Sequence, residues 1–336
     1  MKRLSAIGKT CKKWLGMAPL FDPRKGKTAI EPLSSGRGWW AGACSALYDD
    51  EEERFYLYHR LRKPRELGRG VECRIAESTN GIQFKPIWSA TKAQLNTSSM
   101  ERAALVKTLE GTYRLYISFV DPEDNKWRID MMEADAPKAF APNQRVKILT
   151  ADNVGVEGVK DPYVMVIGRK YYMILSYAPK PRAVSEEDQA RMHATADVYN
   201  TGITKSSSAL AVSSDGIHFQ WRGDIFAPPD EGWDAYATRL GCVLYTPPVF
   251  TAFYDGSAHV GENYEERTGM AISFDLLHYE KISEQGPVLV SPHGSGSLRY
   301  MDAIPFEDRI FYYYEYARPD GSHELRVNSV SLEGSV

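Results

Sequence analysis

The chain has 336 residues, a formal net charge of −3 at pH 7, 43% hydrophobic residues and 12% aromatic residues. This is ordinary globular composition. It lacks the basic footprint of a nucleic-acid-binding protein and has no apolar run long enough to cross a membrane, so the expected partner is a small or neutral molecule.

The N-terminal segment is basic, and Lys9, Lys12 and Lys13 interrupt any apolar core, so it does not read as a secretory signal. A cytoplasmic location is the default expectation. Residues 1–38 read as an extension ahead of the repeating region, possible packing for its outer surface. Cys11, Cys44, Cys73 and Cys242 are scattered, without metal or disulfide spacing. They read as reduced thiols, and the last three lie in apolar runs that predict burial.

From residue 39 a pattern repeats. A small or apolar strand (ACSALYDD, RAALVKTL, DPYVMVIG, GCVLYT, MDAIPFED) precedes an aromatic, β-branched one. The aromatic strands are RFYLYHRL at 54–61, YRLYISFV at 113–120, KYYMILSY at 170–177, VFTAFYDG at 249–256 and RIFYYYEY at 309–316. Alternation at period two fits strands and not helices. Three later segments, ESTNGIQF, SSDGIHF and SFDLLHY, each follow a short apolar strand and turn into another. Asn-Gly and Asp-Gly supply the positive φ that such turns need.

The pattern recurs about five times at roughly 60 to 70 residues, wider than common propeller repeats. It predicts an all-β fold, a five-bladed β-propeller of four-stranded antiparallel blades around a central axis. The blades are expected at 39–92, 100–149, 157–226, 233–289 and 297–333, within one domain spanning 39–336. Residues 179–205 form a long insertion in the third blade, with a helix expected from Ser185 to Ala196 behind an acidic, capped start. Such a connection is either a lid over a site or a surface loop.

In a propeller the innermost strands line the axis, so polar residues at their starts converge. These starts hold Trp39 and Trp40; Glu101 and Arg102; Glu157, Lys160 and Asp161; Asp234, Tyr236 and Arg239; and Arg299, Tyr300 and Asp302. Tyr163 and Glu315 follow nearby, and His59, Arg60 and Arg62 end an aromatic strand. Carboxylates, guanidinium groups and rings together suit a sugar: rings stack on its C–H faces and charges hydrogen-bond its hydroxyls. Glycoside cleavage needs one carboxylic acid and one carboxylate, for which Asp161, Asp302 and Glu101 are the candidates. Each has a structural alternative: a cap on the Asp-Pro turn, a satisfied axial polar group, and a salt bridge. Trp39, Trp40, Arg60, Arg102, Glu157, Tyr163, Asp234, Tyr236, Arg239 and Glu315 are candidate substrate contacts. No nucleotide-, zinc- or hydrolase-elbow motif occurs, and no spacing argues for a metal or cofactor.

The run VKDPYVMVIGRKYYMILSY, which begins at Val159, resembles a motif of the five-bladed-propeller glycosidases, especially glycoside hydrolase family 43 and its relatives. AVSSDGIHFQW and GMAISFDLLHYEKI resemble the blade turns of those families. The resemblance implies three acidic residues: a first-blade Asp as base, a middle Asp and a Glu as general acid. Asp161 matches the middle Asp, whereas WWAGACSAL and GCVLYT carry no acid where the other two would stand. Family 130, the mannoside phosphorylases and mannosidases, is also similar. There Asp302 in RYMDAIPF resembles a last-blade Asp, and the phosphorylases of that family bind phosphate with basic residues, for which Arg102 and Arg239 are candidates by position alone. The implied activity is glycoside hydrolysis of an oligosaccharide or glycoside, with phosphorolysis or glycan binding without turnover as the alternatives.

Overall fold

The computed structural model describes residues 16–331. It is all-β, and its strands fall into antiparallel groups of four. Strand β1 (Lys27–Ile30) precedes the first group, β2 (Trp40–Asp49), β3 (Arg54–Arg62), β4 (Gly70–Ser78) and β5 (Lys85–Thr91). The second group is β6 (Met100–Lys107), β7 (Tyr113–Val120), β8 (Trp127–Ala134) and β9 (Val146–Leu149). The third is β10 (Gly158–Ile167), β11 (Lys170–Ala178), β12 (Ser207–Ser213) and β13 (Gln220–Phe226). The fourth is β14 (Ala237–Thr246), β15 (Val249–Ser257), β16 (Arg267–Ser273) and β17 (Tyr279–Lys281). The last is β18 (Leu298–Phe306), β19 (Arg309–Ala317) and β20 (His323–Ser331), with β1 paired antiparallel to β20.

Part of the segment expected to be an extension is therefore the outermost strand of the last group. No local pattern marks this, because KTAI is four residues long and its partners Leu325 to Val327 lie at the other end of the chain. A single parallel pair, Trp40 with His323, links the last group to the first in one eight-stranded sheet.

The first strands follow one another in space: β2 contacts β6, β6 contacts β10, β10 contacts β14, β14 contacts β18, and β18 contacts β2. They and the second strands are buried on both faces. β7 is buried at every position, which matches a sequence that is apolar and aromatic except at Arg114 and Ser118. The packing between groups is apolar, as where Tyr58, Ile75 and Leu105 meet Leu115 and Ile117. Cys44, Cys73 and Cys242 are buried free thiols in this packing; Cys11 lies outside the described residues.

A polar staple crosses each junction between neighbouring groups. Ser45 Oγ accepts from Leu105 N at 3.1 Å, Asp161 Oδ1 from Arg102 N at 3.3 Å, and Ser208 Oγ from Leu240 N at 2.8 Å. Asp255 accepts from Tyr300 N at 3.0 Å and Asp302 Oδ2 from Ala46 N at 2.7 Å. Each buried acceptor satisfies a backbone N–H that its own sheet does not.

The three repeated turns are one device used three times, between the third and fourth strands of their groups. Ser78, Ser213 and Ser273 accept from the backbone two and three residues on, and so do Asn80, Asp215 and Asp275. The residue after each Asn or Asp has positive φ: Gly81 at 69°, Gly216 at 71° and Leu276 at 66°. The insertion carries a short helix, Glu186–Met192, capped by Ser185 Oγ accepting from Asp188 N. It ends earlier than the expected Ala196, which has φ 54°. Among the described residues no helix is long and apolar enough to cross a membrane.

Candidate functional site

Every first strand bears a bulge near its start. Register shifts fall between Gly42 and Ser45, Met100 and Ala103, Lys160 and Tyr163, Leu240 and Cys242, and Arg299 and Asp302. Ala43, Asp161 and Tyr300 take φ of 53°, 53° and 50° there, a left-handed conformation that costs a non-glycine residue about 1–2 kcal/mol. A bulge re-aims side chains. Here it lets Arg299 and Tyr300, adjacent in sequence, both enter one polar cluster.

That cluster is a chain of ion pairs. Glu101 lies 3.2 Å from Arg60 Nε and 3.9 Å from Arg62 Nη1. Arg60 Nη2 donates to Glu315 at 3.3 Å, and Arg299 donates to Glu315 at 2.7 Å and to Glu266 at 2.6 Å. Arg239 donates to Glu266 at 2.6 Å, Asn263 at 2.6 Å and Ser206 at 2.8 Å. Lys160 Nζ is 3.2 Å from Asp161. Tyr300 Oη is 3.4 Å from both Glu101 Oε2 and Asp161 Oδ2, so those oxygens are no further apart than twice that length.

Two connections lie across the cluster. From the insertion, Asp197 pairs with Arg69 at 3.1 Å, and Tyr199 packs against Lys160 and Arg239. From residues 258–266, Tyr264 lies over the Arg62 guanidinium at 4.1 Å and Asn263 is held by Arg239. Asn263 Nδ2 also donates to Asn200 Oδ1 at 3.4 Å, so the two connections touch. Outside the second connection is a cleft of about 470 Å³, lined by Arg37, Gly261, Glu262, Glu265, Ser295 and His323, among others. His323 links cleft to cluster: it pairs with Glu265 at 3.1 Å and with Glu315 at 2.8 Å, and its ring stacks on Trp40 at 4.4 Å.

The carboxyl groups divide electrostatically. Burial alone would raise Glu101, but Arg60, Lys160, Arg62 and Arg299 outweigh it and hold the group below its ordinary pKa. Glu315 and Glu266 are likewise held low, by Arg299 with Arg60 and by Arg239 with Arg299, against the effect of burial. Burial raises Asp197, with Arg69 and Lys160 only partly opposing it. Asp302 is pushed up by burial to about 6 and Asp255, by burial and then Glu266, to about 7.

The residues expected at the axis are distributed unequally. Glu101, Asp161, Arg60, Arg239 and Glu315 share the cluster. Asp302 is separate in its bonding: it accepts from Ala46 N and Ala303 N and lies 3.8 Å from Arg102 Nη2. Arg102 donates to Met301 O and lies against Tyr163, whose hydroxyl donates to Val243 O. Glu157 pairs with His193, Tyr236 donates to Tyr199 O, and Asp234 accepts from Tyr254 and Lys281. Trp40 is 4% exposed, stacked on His323 and beside Arg62 and Arg299; Trp39 is half-buried and its carbonyl accepts from His323 N. None of the expected contacts lines the cleft. Glu265, Glu266 and His323 escape the inner-strand criterion, because Glu265 and Glu266 belong to the connection ahead of β16 and His323 begins a third strand. Asp197 was legible only as part of the insertion. Among the described residues no group of three or more His, Cys, Asp or Glu side chains could hold a metal ion.

No family model and no curated protein sequence matches the chain. Solved structures do resemble it. A glycosyl hydrolase from Bacteroides ovatus aligns at TM-score 0.62 and 15% identity over 94% of this chain and 93% of that one. A thermostable family-43 glycoside hydrolase aligns at 0.62 and 13%, over 90% and 92%. A β-1,2-mannobiose phosphorylase from Listeria innocua aligns at 0.60 and 15%, over 91% and 94%. At these identities the likeness is one of fold.

Proposed function

We propose that the chain is a five-bladed β-propeller acting as a glycoside hydrolase, with its active site where β2, β6, β10, β14 and β18 begin. The observation that carries this reading is the convergence of carboxylates from separate strand groups, Glu101 and Asp161, on the single phenol of Tyr300. Their limited separation suits the carboxyl spacing of glycosidases, about 5–5.5 Å in retaining enzymes and wider in inverting ones. The fold shared with glycoside hydrolases supports the same conclusion.

Glycosidase chemistry needs one carboxyl kept protonated and one kept ionised, and pairs pushed apart in pKa identify them. Glu101, held ionised by its cations, takes the base or nucleophile role. Asp197, raised by burial and neighbouring the same Lys160 and Arg62, takes the acid role. Asp161 supports Glu101 through Tyr300. Asp302, engaged by two backbone N–H groups, belongs to the scaffold in this reading. A carbohydrate is the partner, and it enters when the insertion and the connection at 258–266 part.

The test is turnover of a panel of aryl glycosides and oligosaccharides by the purified chain and by Glu101→Gln, Asp197→Asn and Asp161→Asn. The first two are expected to lose 10²-fold or more; turnover unchanged in both would refute the assignment. Phosphorolysis is the second reading, favoured by the cations facing Glu101, and a requirement for inorganic phosphate would establish it. Glycan binding without turnover by the wild-type chain would instead identify a non-catalytic propeller.

A further inference from the structure

Charge is unevenly placed along the chain. Residues 1–21 hold Lys2, Arg3, Lys9, Lys12 and Lys13 and no acid, so against a net charge of −3 overall the remainder carries −8. The apolar residues of this segment are ordered as well. At about 100° per residue, the helical step, Leu4, Ile7, Cys11, Trp14 and Leu15 fall in one arc about 100° wide, and Lys2, Lys9, Lys12 and Lys13 fall on the opposite half. Trp and Leu on one side with Lys on the other is the pattern of segments that lie in a lipid–water interface without crossing it.

The fold fixes where this segment joins it. Gly16 N donates to Pro247 O at 2.9 Å, and Pro247 and Pro248 make the turn between β14 and β15. Of the five turns that join a first strand to a second, only this one has no charged residue. The others hold Asp50 to Glu53, Glu110, Arg169, and Glu307 with Asp308. Tyr245 and Phe250 flank the neutral turn with their rings 5.0 Å apart, and Phe250 pairs with Ser273, next to Phe274. Among the described residues Phe274, at 69%, and Tyr245, at 62%, are the most exposed large hydrophobic side chains. Met17 and Leu20, just after Gly16, are exposed too. Single exposed apolar residues are ordinary; here two rings stand at the one neutral turn, beside the root of a cationic amphipathic segment.

Cations alone would suit a nucleic acid, and an apolar stripe alone would suit the chain's own turn. The two together, beside exposed rings, fit an anionic lipid surface, where Lys answers the headgroups and Trp and Tyr sit at the interface. We propose that the chain binds the surface of an anionic membrane through residues 2–15 and the β14–β15 turn, lying on the bilayer and not spanning it. Such a surface repels the acidic turns of the first and last groups, so the molecule rests on its fourth. β14 runs from Ala237 to Thr246, about 30 Å at the usual strand rise. The polar cluster, which Arg239 joins near the start of β14, is therefore at the end away from the lipid and keeps its access to solvent. This inference does not rest on the glycosidase reading.

The test is flotation of the full chain with vesicles of phosphatidylcholine, with and without phosphatidylserine, at low and high salt. Binding to the anionic vesicles is expected to be tenfold or more tighter than to the neutral ones, and to weaken as salt screens the Lys side chains. Each Lys near an anionic surface is worth about fivefold in the binding constant, so Lys12→Gln with Lys13→Gln is expected to lose about 25-fold. Lys12→Arg with Lys13→Arg keeps the charge and should bind as the wild type does. Tyr245→Ser with Phe274→Ser is expected to lose threefold or more, since the turn shares the surface. Failure of the wild type to float, equal binding to neutral vesicles, binding unaltered by the Gln pair, or tighter binding of a single-stranded polynucleotide than of anionic vesicles would each overturn the proposal. Unchanged binding by the Ser pair would overturn the part given to the turn. Glycan binding and turnover are measured without vesicles, so their outcome is separate from this one.

Discussion

Asp255 offers the sharpest test of the electrostatics, because its expected effect runs opposite to that of the ion-paired Glu101, Glu266 and Glu315. It sits between the fourth and fifth strand groups with both oxygens near Tyr300 N, at 3.0 and 3.1 Å. Burial and Glu266 push its pKa from 3.8 to about 7, and Arg102 and Arg299 only partly compensate. A carboxyl raised on folding binds its proton more tightly in the native state. Its contribution is fully present below pH 3.8 and is lost as pH rises through 7. The shift is about three pH units, so ionising this one group costs the native state about 4 kcal/mol by pH 8. Asp255→Asn keeps an acceptor for Tyr300 N and removes the titration. The variant is therefore expected to gain on the wild type steadily between pH 4 and 7 and to be the more stable of the two at pH 8. Urea denaturation of both proteins at pH 5, 6, 7 and 8 measures the difference. Parallel pH profiles would show that Asp255 is not held protonated and would refute the reasoning.

Other consequences follow from the same contacts. Glu315→Gln leaves Arg60, Arg299 and His323 with an uncharged partner and is expected to cost about 3–5 kcal/mol in denaturant unfolding at pH 7. Because Glu315 is held below its ordinary pKa, its stabilisation is present above about pH 4.5 and lost as pH falls further, so the penalty of the variant should shrink in acid. Gly216→Ala places a Cβ 2.3 Å from Arg114 Nη1 and 2.8 Å from Tyr116 Oη at φ 71°, and a loss of about 1–3 kcal/mol is expected in the same assay. The equivalent change at Gly155, whose Cβ would meet nothing within 4 Å at φ 73°, isolates the backbone cost and should be milder.

The strands were legible because their signals are local. Every aromatic run became a second strand, β3, β7, β11, β15 and β19, since period-two patterning needs only neighbours in sequence. The Ser-x-Asn/Asp turns were legible for the same reason. β1 was not, as its only partner is strand β20 some 300 residues away. The site was legible by half. Glu101, Asp161, Arg239 and Arg299 were found by asking which residues begin inner strands, and the bulges bring them together. Those bulges carry Ala43, Asp161 and Tyr300 at positive φ, where sequence would lead one to expect Gly or Asn. Trp40 is a candidate substrate contact by sequence, but His323, some 280 residues later, already stacks on it. Glu265, Glu266 and Asp197 come from connections whose position in space no periodicity encodes.

The placement of β1 beside β20 bears on how the molecule is made. A ribosome releases Lys27–Ile30 early, yet its hydrogen-bonding partners emerge only with the last residues of the described chain. Until then the first group has no neighbour across Trp40 and His323, and its edge is open to pairing with another chain. Closing so long a span is entropically slow although not prohibitive, since the cost grows only with the logarithm of length. Premature termination anywhere before His323 should therefore leave an aggregation-prone product and not a smaller stable protein. Strands β1 and β20 act as a clasp, and β20 has to be made before it can shut.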